Sequence, residues 1–584
     1  MVARLMTINV FRAASVALGF ASVFALSPAA SAQSSSMVAH YGDGASQSDA
    51  LPTVLNREEN EHYRELFAAI DREQWDRVNA LLFEHRDADL YQIALAEYYT
   101  HANSPKISAG QIQDWFELGV ELPQAEQLGR LGATRGLENL PAFPNAKGFN
   151  QQPSASKRIR PRSVNDGTLS DSTRSAILDR IKNDDPAGAH ALLTEADPYL
   201  SSEARAEWRQ RVAWSYYIEN DDQNALAVAE TVRDGSGAWV AEGEWVAGLA
   251  AWRLGYCALA GEAFERAAYG STNVELTAAA HYWAHRSLVR CREPGKAQTH
   301  LSAAAGYDET LYGMLAIDQL GIDVPAEAPA QAFTKEDWRS VSDRSNVRVA
   351  TALAEIGRPA LADEVLRHEV RIGRAQDYPV LARLARELGL PSTQLFMAHN
   401  APYGMRSDRS LRFPVARWQP ATGWRVDPAL AFAHALQESN FRAGAVSPAN
   451  ARGLMQIMPG TARDHNRSLN LGASYADLND PEVNLAYGQQ HLEMLRDSYA
   501  TQGKLPKIMA AYNAGLTPVD RWNTEINDQN DPLLWMESIP YWETRGYVAI
   551  VMRNYWMYLR QADAAAPSRV DLAENDWPLF PRTR

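Results

Sequence analysis

The strongest constraint on the fold is a helical periodicity running almost unbroken from about Asn56 to about Leu390 of the 584-residue chain. Apolar residues recur there at spacings of three and four, Ala and Leu are abundant, and period-two alternation is rare. That pattern belongs to amphipathic helices rather than to strands. Helices of this kind must each bury an apolar face on a neighbour, so a stacked helical array is expected.

Trp252-Arg253-Leu254-Gly255-Tyr256, followed by Ala260, Phe264 and Ala267, sets large residues around small ones. This suits two closely packed antiparallel helices and approximates the tetratricopeptide pattern, one residue short at its start. Asn224–Ala227 and Tyr282–Ala284 repeat the theme loosely, without a strict period. The expectation is a mainly α chain with a helical-repeat superhelical region over 33–400. Within it, about 146–170 reads as a long exposed loop, because Gly148, Pro153 and the basic run Lys157–Arg162 interrupt the periodicity. That run reads as a solvated patch, and about 305–400 reads as a linker part. Pro402, Gly404, Pro414, Pro420 and Gly423 mark a second change. From there, 401–584 reads as a separate compact domain of short helices and Gly-rich turns.

Composition narrows the function classes. A formal charge of −14 argues against bulk attraction to nucleic acid or anionic membrane. Seven of the 16 Trp fall in 401–584; aromatic faces stack on sugars, although several of these Trp fit an ordinary core equally. Residues 1–32 carry only Arg4 and Arg12 as charges, an apolar stretch from Ala13 to Leu26, and the A-x-A site Ala30-Ser31-Ala32. Together these read as a cleaved signal peptide and imply a periplasmic protein. No later stretch is apolar enough for a membrane anchor. Cys257 and Cys291 are the only cysteines. They can pair in an oxidising compartment or stand as two buried thiols, and their spacing leaves both open.

The chemically informative window is Val426–Pro459. Asp427-Pro428 is a helix start, Ala429, Leu430, Phe432, Ala433 and Leu436 supply an apolar face, and Ser439-Asn440 favours helix exit. Glu438 therefore sits near a helix C-terminus, where the helix dipole opposes negative charge. A raised pKa at such a place suits a general acid. His434, one turn earlier, reads as a packing or hydrogen-bonding residue. His434, His465 and His491 show no metal-ligand spacing, and no phosphate loop or G-x-S-x-G elbow is present. No metal and no cofactor are expected.

Four motifs follow in order: ESNF at Glu438–Phe441, GLMQIMP at Gly453–Pro459, AYNAG at Ala511–Gly515 and IPYWETRGYV at Ile539–Val548. Together they resemble the soluble lytic murein transglycosylases over about Leu411–Leu559. Glu309–Ala316 looks like that family's segment before the catalytic domain, and Leu411–Pro414 like its opening strand. Residues 33 to about 250 match only in texture. The resemblance implies a superhelical domain followed by a lysozyme-like α+β, mostly helical catalytic domain. It implies cleavage of the β-1,4 bond between N-acetylmuramic acid and N-acetylglucosamine, leaving 1,6-anhydromuramic ends. It further implies Glu438 as acid and then base, Ser447 beside the substrate's N-acetyl group, and Met455 and Gln456 lining the cleft. Tyr512 and Asn513 would flank the carboxyl, and Glu543 and Tyr547 would be cleft residues.

One feature of the residues themselves agrees. Most glycosidases use two carboxylates, yet no Asp or Glu occurs between Ser439 and Arg463. Substrate assistance fills that gap, with the N-acetyl oxygen stabilising C1 and the sugar's own O6 as nucleophile. Two alternatives stand beside this. A hydrolase of the same fold would draw a second carboxylate from Asp477, Asp480 or Glu482. A cell-wall-binding scaffold would keep only a vestigial catalytic domain. Glycan strands, and possible complexes with other cell-wall enzymes, are the partners expected of a monomer.

Overall fold

A computed structural model describes residues 50–324, 331–469, 471 and 477–581. The expected signal peptide, 1–32, lies outside the described residues. Among those described, helices dominate, and no helix is long and apolar enough to cross a membrane.

The helices gather around two cores. In the first, Arg57–Asp71, Tyr91–Thr100, Ala109–Glu117 and Ala125–Thr134 pack with Ser345–Glu355, Pro359–Ile372, Tyr378–Glu387 and Pro391–His399. The segment expected as a linker is therefore structural. Its apolar faces complete those of the N-terminal helices some 300 positions away. The Glu355 carboxylate accepts from the N–H groups of Val54 (2.7 Å) and Leu55 (3.1 Å). Strand β1, Phe149–Gln151, pairs antiparallel with β2, Asn400–Pro402, with Asn150 opposite Ala401.

The second core joins the helices from Asp171–Lys182 to Leu311–Leu320 with residues 413–580. Core membership changes between Leu411 and Phe413. Leu411–Pro414, expected as an opening strand, is instead the end of a 3-10 turn, Arg409–Arg412, and the residues after it. Arg412 is held there by a two-pronged ion pair to Glu309 (2.7 and 2.5 Å). Helix Trp239–Arg253 is buried almost all round, as a helix enclosed by neighbours on every side must be. Its pair with Cys257–Gly270 has the close packing that the Trp252–Ala267 pattern predicts. At Gly248, a Cβ would lie 2.5 Å from the Phe264 ring. Cys257 and Cys291 are joined as a disulfide, stapling the start of Cys257–Gly270 to the end of Val274–Arg290.

The basic run at 157–162 corrects its sequence reading. It is part of a strap laid between the middle helices and the C-terminal part. The Arg158 guanidinium bonds Glu242 (2.8 Å) and Glu537 (3.3 Å) and lies 4.7 Å over the Trp245 ring. The Ser156 hydroxyl donates to Glu275 (2.8 Å), which also pairs with Arg553 (3.1 Å), and Val164 N–H donates to Glu207 (2.6 Å). Buried carboxylates need cations, and the strap supplies the cation for two of them. Lys157, Ile159 and Arg160 remain exposed.

Arg158→Ala should leave Glu242 and Glu537 facing each other without their shared cation. Breaking a buried ion pair costs about 3–5 kcal/mol, so the chemical-unfolding midpoint should fall clearly. An unchanged midpoint would show that the strap is not a structural junction.

Candidate active site

The helix Pro428–Ser439 starts on Asp427, whose side chain accepts from Ala429 N–H (2.9 Å) and from the Tyr555 hydroxyl (2.8 Å). Burial pushes this capping carboxyl up to about 6. The helix ends by a reversal into the left-handed region at two successive residues, Asn440 (φ 51°) and Phe441 (φ 58°). Asn tolerates that region; a bulky Phe is strained in it. Phe441 is held there by burial, with its ring 5.8 Å from Phe432. The reversal leaves Glu438 on the last turn, at the negative end of the helix dipole.

Glu438 is half-buried. Its Oε1 accepts from the Tyr547 hydroxyl at 2.7 Å. Burial raises its pKa to about 7; the Tyr547 bond opposes that rise and the Glu543 charge adds to it. Behind Glu438, the Tyr547 hydroxyl also meets His434 Nδ1 at 2.8 Å. His434 is fully buried, and burial drives its pKa down to about 3, so the ring is neutral. Tyr512 completes the wall. Its ring lies 4.6 Å from His434 and is stacked on Tyr547 at 6.4 Å, and its hydroxyl donates to the Met455 carbonyl (2.7 Å). His491 packs on Tyr512 at 5.3 Å and meets His465 at 3.1 Å. The three histidines whose sequence spacing carried no signal thus gather behind one carboxyl.

The loop after the acid folds back on itself through bridges Val446–Arg452 and Arg452–Ile457. Ser447 stands in this loop, where its hydroxyl accepts from Ala451 N–H (3.0 Å). Gln456, at φ 49°, donates from its amide to the carbonyls of Ala445 (3.2 Å) and Gly453 (2.9 Å). Met455 corrects the expectation of cleft lining. Its side chain is fully buried, packed so closely on Gly488 that a Cβ there would fall 2.1 Å from its sulfur. Gly453 is equally constrained, since a Cβ would meet Asn484 and the Leu478 carbonyl, each at 2.2 Å.

Asn513 accepts from the Thr544 hydroxyl at 2.6 Å, tying AYNAG to the helix Trp542–Gln561. Glu543 is exposed, one turn before Tyr547 on that helix. Of the carboxylates considered as partners, Asp480 is engaged as a helix cap, accepting from Glu482 N–H (2.9 Å) and Val483 N–H (3.0 Å). Glu482 is exposed. The Asp477 side chain is outside those described.

Two organising residues carry no signal in the sequence. Buried Asn484 accepts from Met455 N–H (2.8 Å) and donates to the carbonyls of Arg452 (2.9 Å) and Leu478 (2.8 Å). Gln489 ties Thr422 and Gly423 to the same helix, Pro481–Arg496. An Asn and a Gln inside a helix carry no local signal; only their burial reveals them. A cavity of about 760 Å³ opens beside the acid's loop, lined by Asn440 and Arg442 together with Glu126, Arg367, Arg371 and Phe396 of the first core's helices. The site therefore borders a groove shared by both parts of the chain.

Such an arrangement can donate a proton from a carboxylic acid near neutral pH and then take one back, the requirement for acid–base catalysis by one group. A sequence model of the Transglycosylase SLT domain matches residues 418–534. The soluble lytic murein transglycosylase of Escherichia coli K12 is 34% identical over 169 residues, 28% of this chain and 26% of the relative. A putative soluble lytic murein transglycosylase of Haemophilus influenzae is 31% identical over 274 residues, 45% of this chain and 44% of the relative. The sequence matches thus span about a quarter to under a half of these curated relatives. The fold is matched further. The 70 kDa soluble lytic transglycosylase of Escherichia coli aligns at TM-score 0.52 and 16% identity over 91% of this chain and all of that one. An inactive mutant of lytic transglycosylase Slt from Pseudomonas aeruginosa aligns at 0.51 and 20% identity over 88% and 90%. Residues 418–534 thus match the transglycosylase SLT domain, and over this part the chain is similar to soluble lytic murein transglycosylases.

Proposed function

We propose that this protein is a lytic transglycosylase that cleaves the β-1,4 bond between N-acetylmuramic acid and N-acetylglucosamine in peptidoglycan. The observation that carries the reading is a carboxyl at a helix end, raised to about 7 by burial and bonded by a single tyrosine. In the first step Glu438 gives its proton to the glycosidic oxygen and the C1–O bond breaks, while the substrate's N-acetyl oxygen stabilises C1. In the second, the Glu438 carboxylate takes the proton from O6 as the O6–C1 bond forms. The acid is regenerated and no water is consumed. The intramolecular hydroxyl has a high effective concentration, which helps it compete with water.

The place of action is read with the reaction. The disulfide fits an oxidising compartment, and peptidoglycan lies outside the cytoplasmic membrane. We assign the protein to the periplasm, exported by the 1–32 leader and acting as a monomer on glycan strands. Residues 401–584 form the catalytic domain in this reading, and 33–400 the superhelix that carries it.

Glu438→Gln keeps the side chain's shape and removes its proton chemistry. It should lower peptidoglycan cleavage by at least about 10²–10⁴-fold, the usual weight of a positioned acid, with no change in unfolding midpoint. Cleavage at the parent rate would remove Glu438 from the mechanism. The sign of the pH dependence follows from its role. The first step needs the protonated form, so kcat/KM should fall as pH rises through about 7. A rate that instead climbs through that range would mean that the residue starts as a base.

A further inference from the structure

The Glu438 carboxyl has two oxygens, and only a proton on the one facing substrate is useful. What settles the proton's place lies one turn back on the same helix. His434 is neutral and has one N–H to place. Its Nε2 is buried with no partner among the described residues, so a proton there would be a buried donor without an acceptor, which is costly. Its Nδ1 has a partner, the Tyr547 oxygen at 2.8 Å. The N–H therefore belongs on Nδ1. Tyr547 has a single hydroxyl hydrogen. With its oxygen already receiving from His434, that hydrogen turns to Glu438 Oε1, 2.7 Å away. A proton on Oε1 would then oppose the hydroxyl hydrogen directly.

We propose that His434 is a positioning residue: by donating from Nδ1 it fixes Tyr547 as a donor to Glu438 Oε1 and so confines the acid's proton to Oε2. The proposal rests on the reading of Glu438 as the acid. The Tyr512 ring, between His434 and His491, holds this geometry by stacking on Tyr547. The groups facing Glu438 are Tyr547, Tyr512 and Glu543. Those facing His434 are Tyr547 and Tyr512, with His491 and its partner His465 beyond. Burial lowers the pKa of all three histidines, so the donor stays neutral and fixed through the pH range in which Glu438 titrates.

His434→Leu keeps an apolar filling and removes the donor. Tyr547 is then free to accept from the protonated acid, which stabilises that form and misdirects its proton. The expected result is a fall in kcat of about tenfold, a fraction of the whole acid's weight, with KM within about twofold. The descending limb of kcat/KM should move to higher pH. His434→Asn, whose amide can donate from the place of Nδ1, should restore both. In a Tyr547→Phe background, His434→Leu should add no further loss. A parent-like rate and profile, an equal loss in the Tyr547→Phe background, or no recovery with Asn would overturn the proposal. Two readings need neither substrate nor the Leu variant. In ¹⁵N spectra of histidine-labelled parent enzyme, a proton on His434 Nε2 would refute the assignment and one on Nδ1 would support it. In labelled His434→Asn, Glu438 should titrate as in the parent, and an upward shift would count against the proposal. If the parent enzyme cleaves no peptidoglycan, the functional reading fails, and these spectra still decide the role of His434.

Discussion

The structure turns on how buried carboxylates are neutralised. A carboxylate removed from water must gain a cation, gain strong donors, or give up its charge. At the strap the first solution rules: Glu242 and Glu537 share Arg158, Glu275 takes Arg553, and Glu207 takes Arg211 at 2.7 Å. Among the described residues, Glu438 has only a phenol and the negative end of a helix dipole. Its charge is the less favoured state, and that is what makes it useful. A raised pKa does not identify an acid by itself. Glu97 in the first core is also pushed up to about 7 by burial, without the helix reversal or the tyrosine hydroxyl.

One helix carries much of the coupling between scaffold and site. Trp542–Gln561 offers Glu543, Thr544 and Tyr547 to the site. Further along, Arg553 reaches the strap, the Tyr555 hydroxyl meets the Asp427 cap, and the Tyr558 hydroxyl bonds the Pro414 carbonyl at 3.0 Å. The same rod that holds Tyr547 against the acid is pinned at the far end to the superhelix. The start of the Glu438 helix is fixed by that rod as well.

Much of this was legible in the sequence because it is local. Helical periodicity announces helices, Asp427-Pro428 announces a start, and Ser439-Asn440 announces an exit near which Glu438 must fall. Long-range pairing was not legible. Nothing within 333–398 shows that its helices complete the core of residues 51–137, because the complementary faces are hundreds of positions away. A basic run reads as solvated unless one knows that Glu242 and Glu537 wait on other helices. Met455 sits in a motif that resemblance assigned to a cleft, yet packing against Gly488 buries it. His434, His465 and His491 are spaced without pattern; His465 and His491 touch directly, and the Tyr512 ring links them to His434.

In the proposed reaction the bond is broken without water, by one carboxyl acting twice. The most direct measurement is to digest purified peptidoglycan with the protein and weigh the released muropeptides. A carboxyl acting twice gives 1,6-anhydromuramic ends, lighter by one water than reducing ends. Reducing ends would contradict it and point to a hydrolase with a second carboxylate.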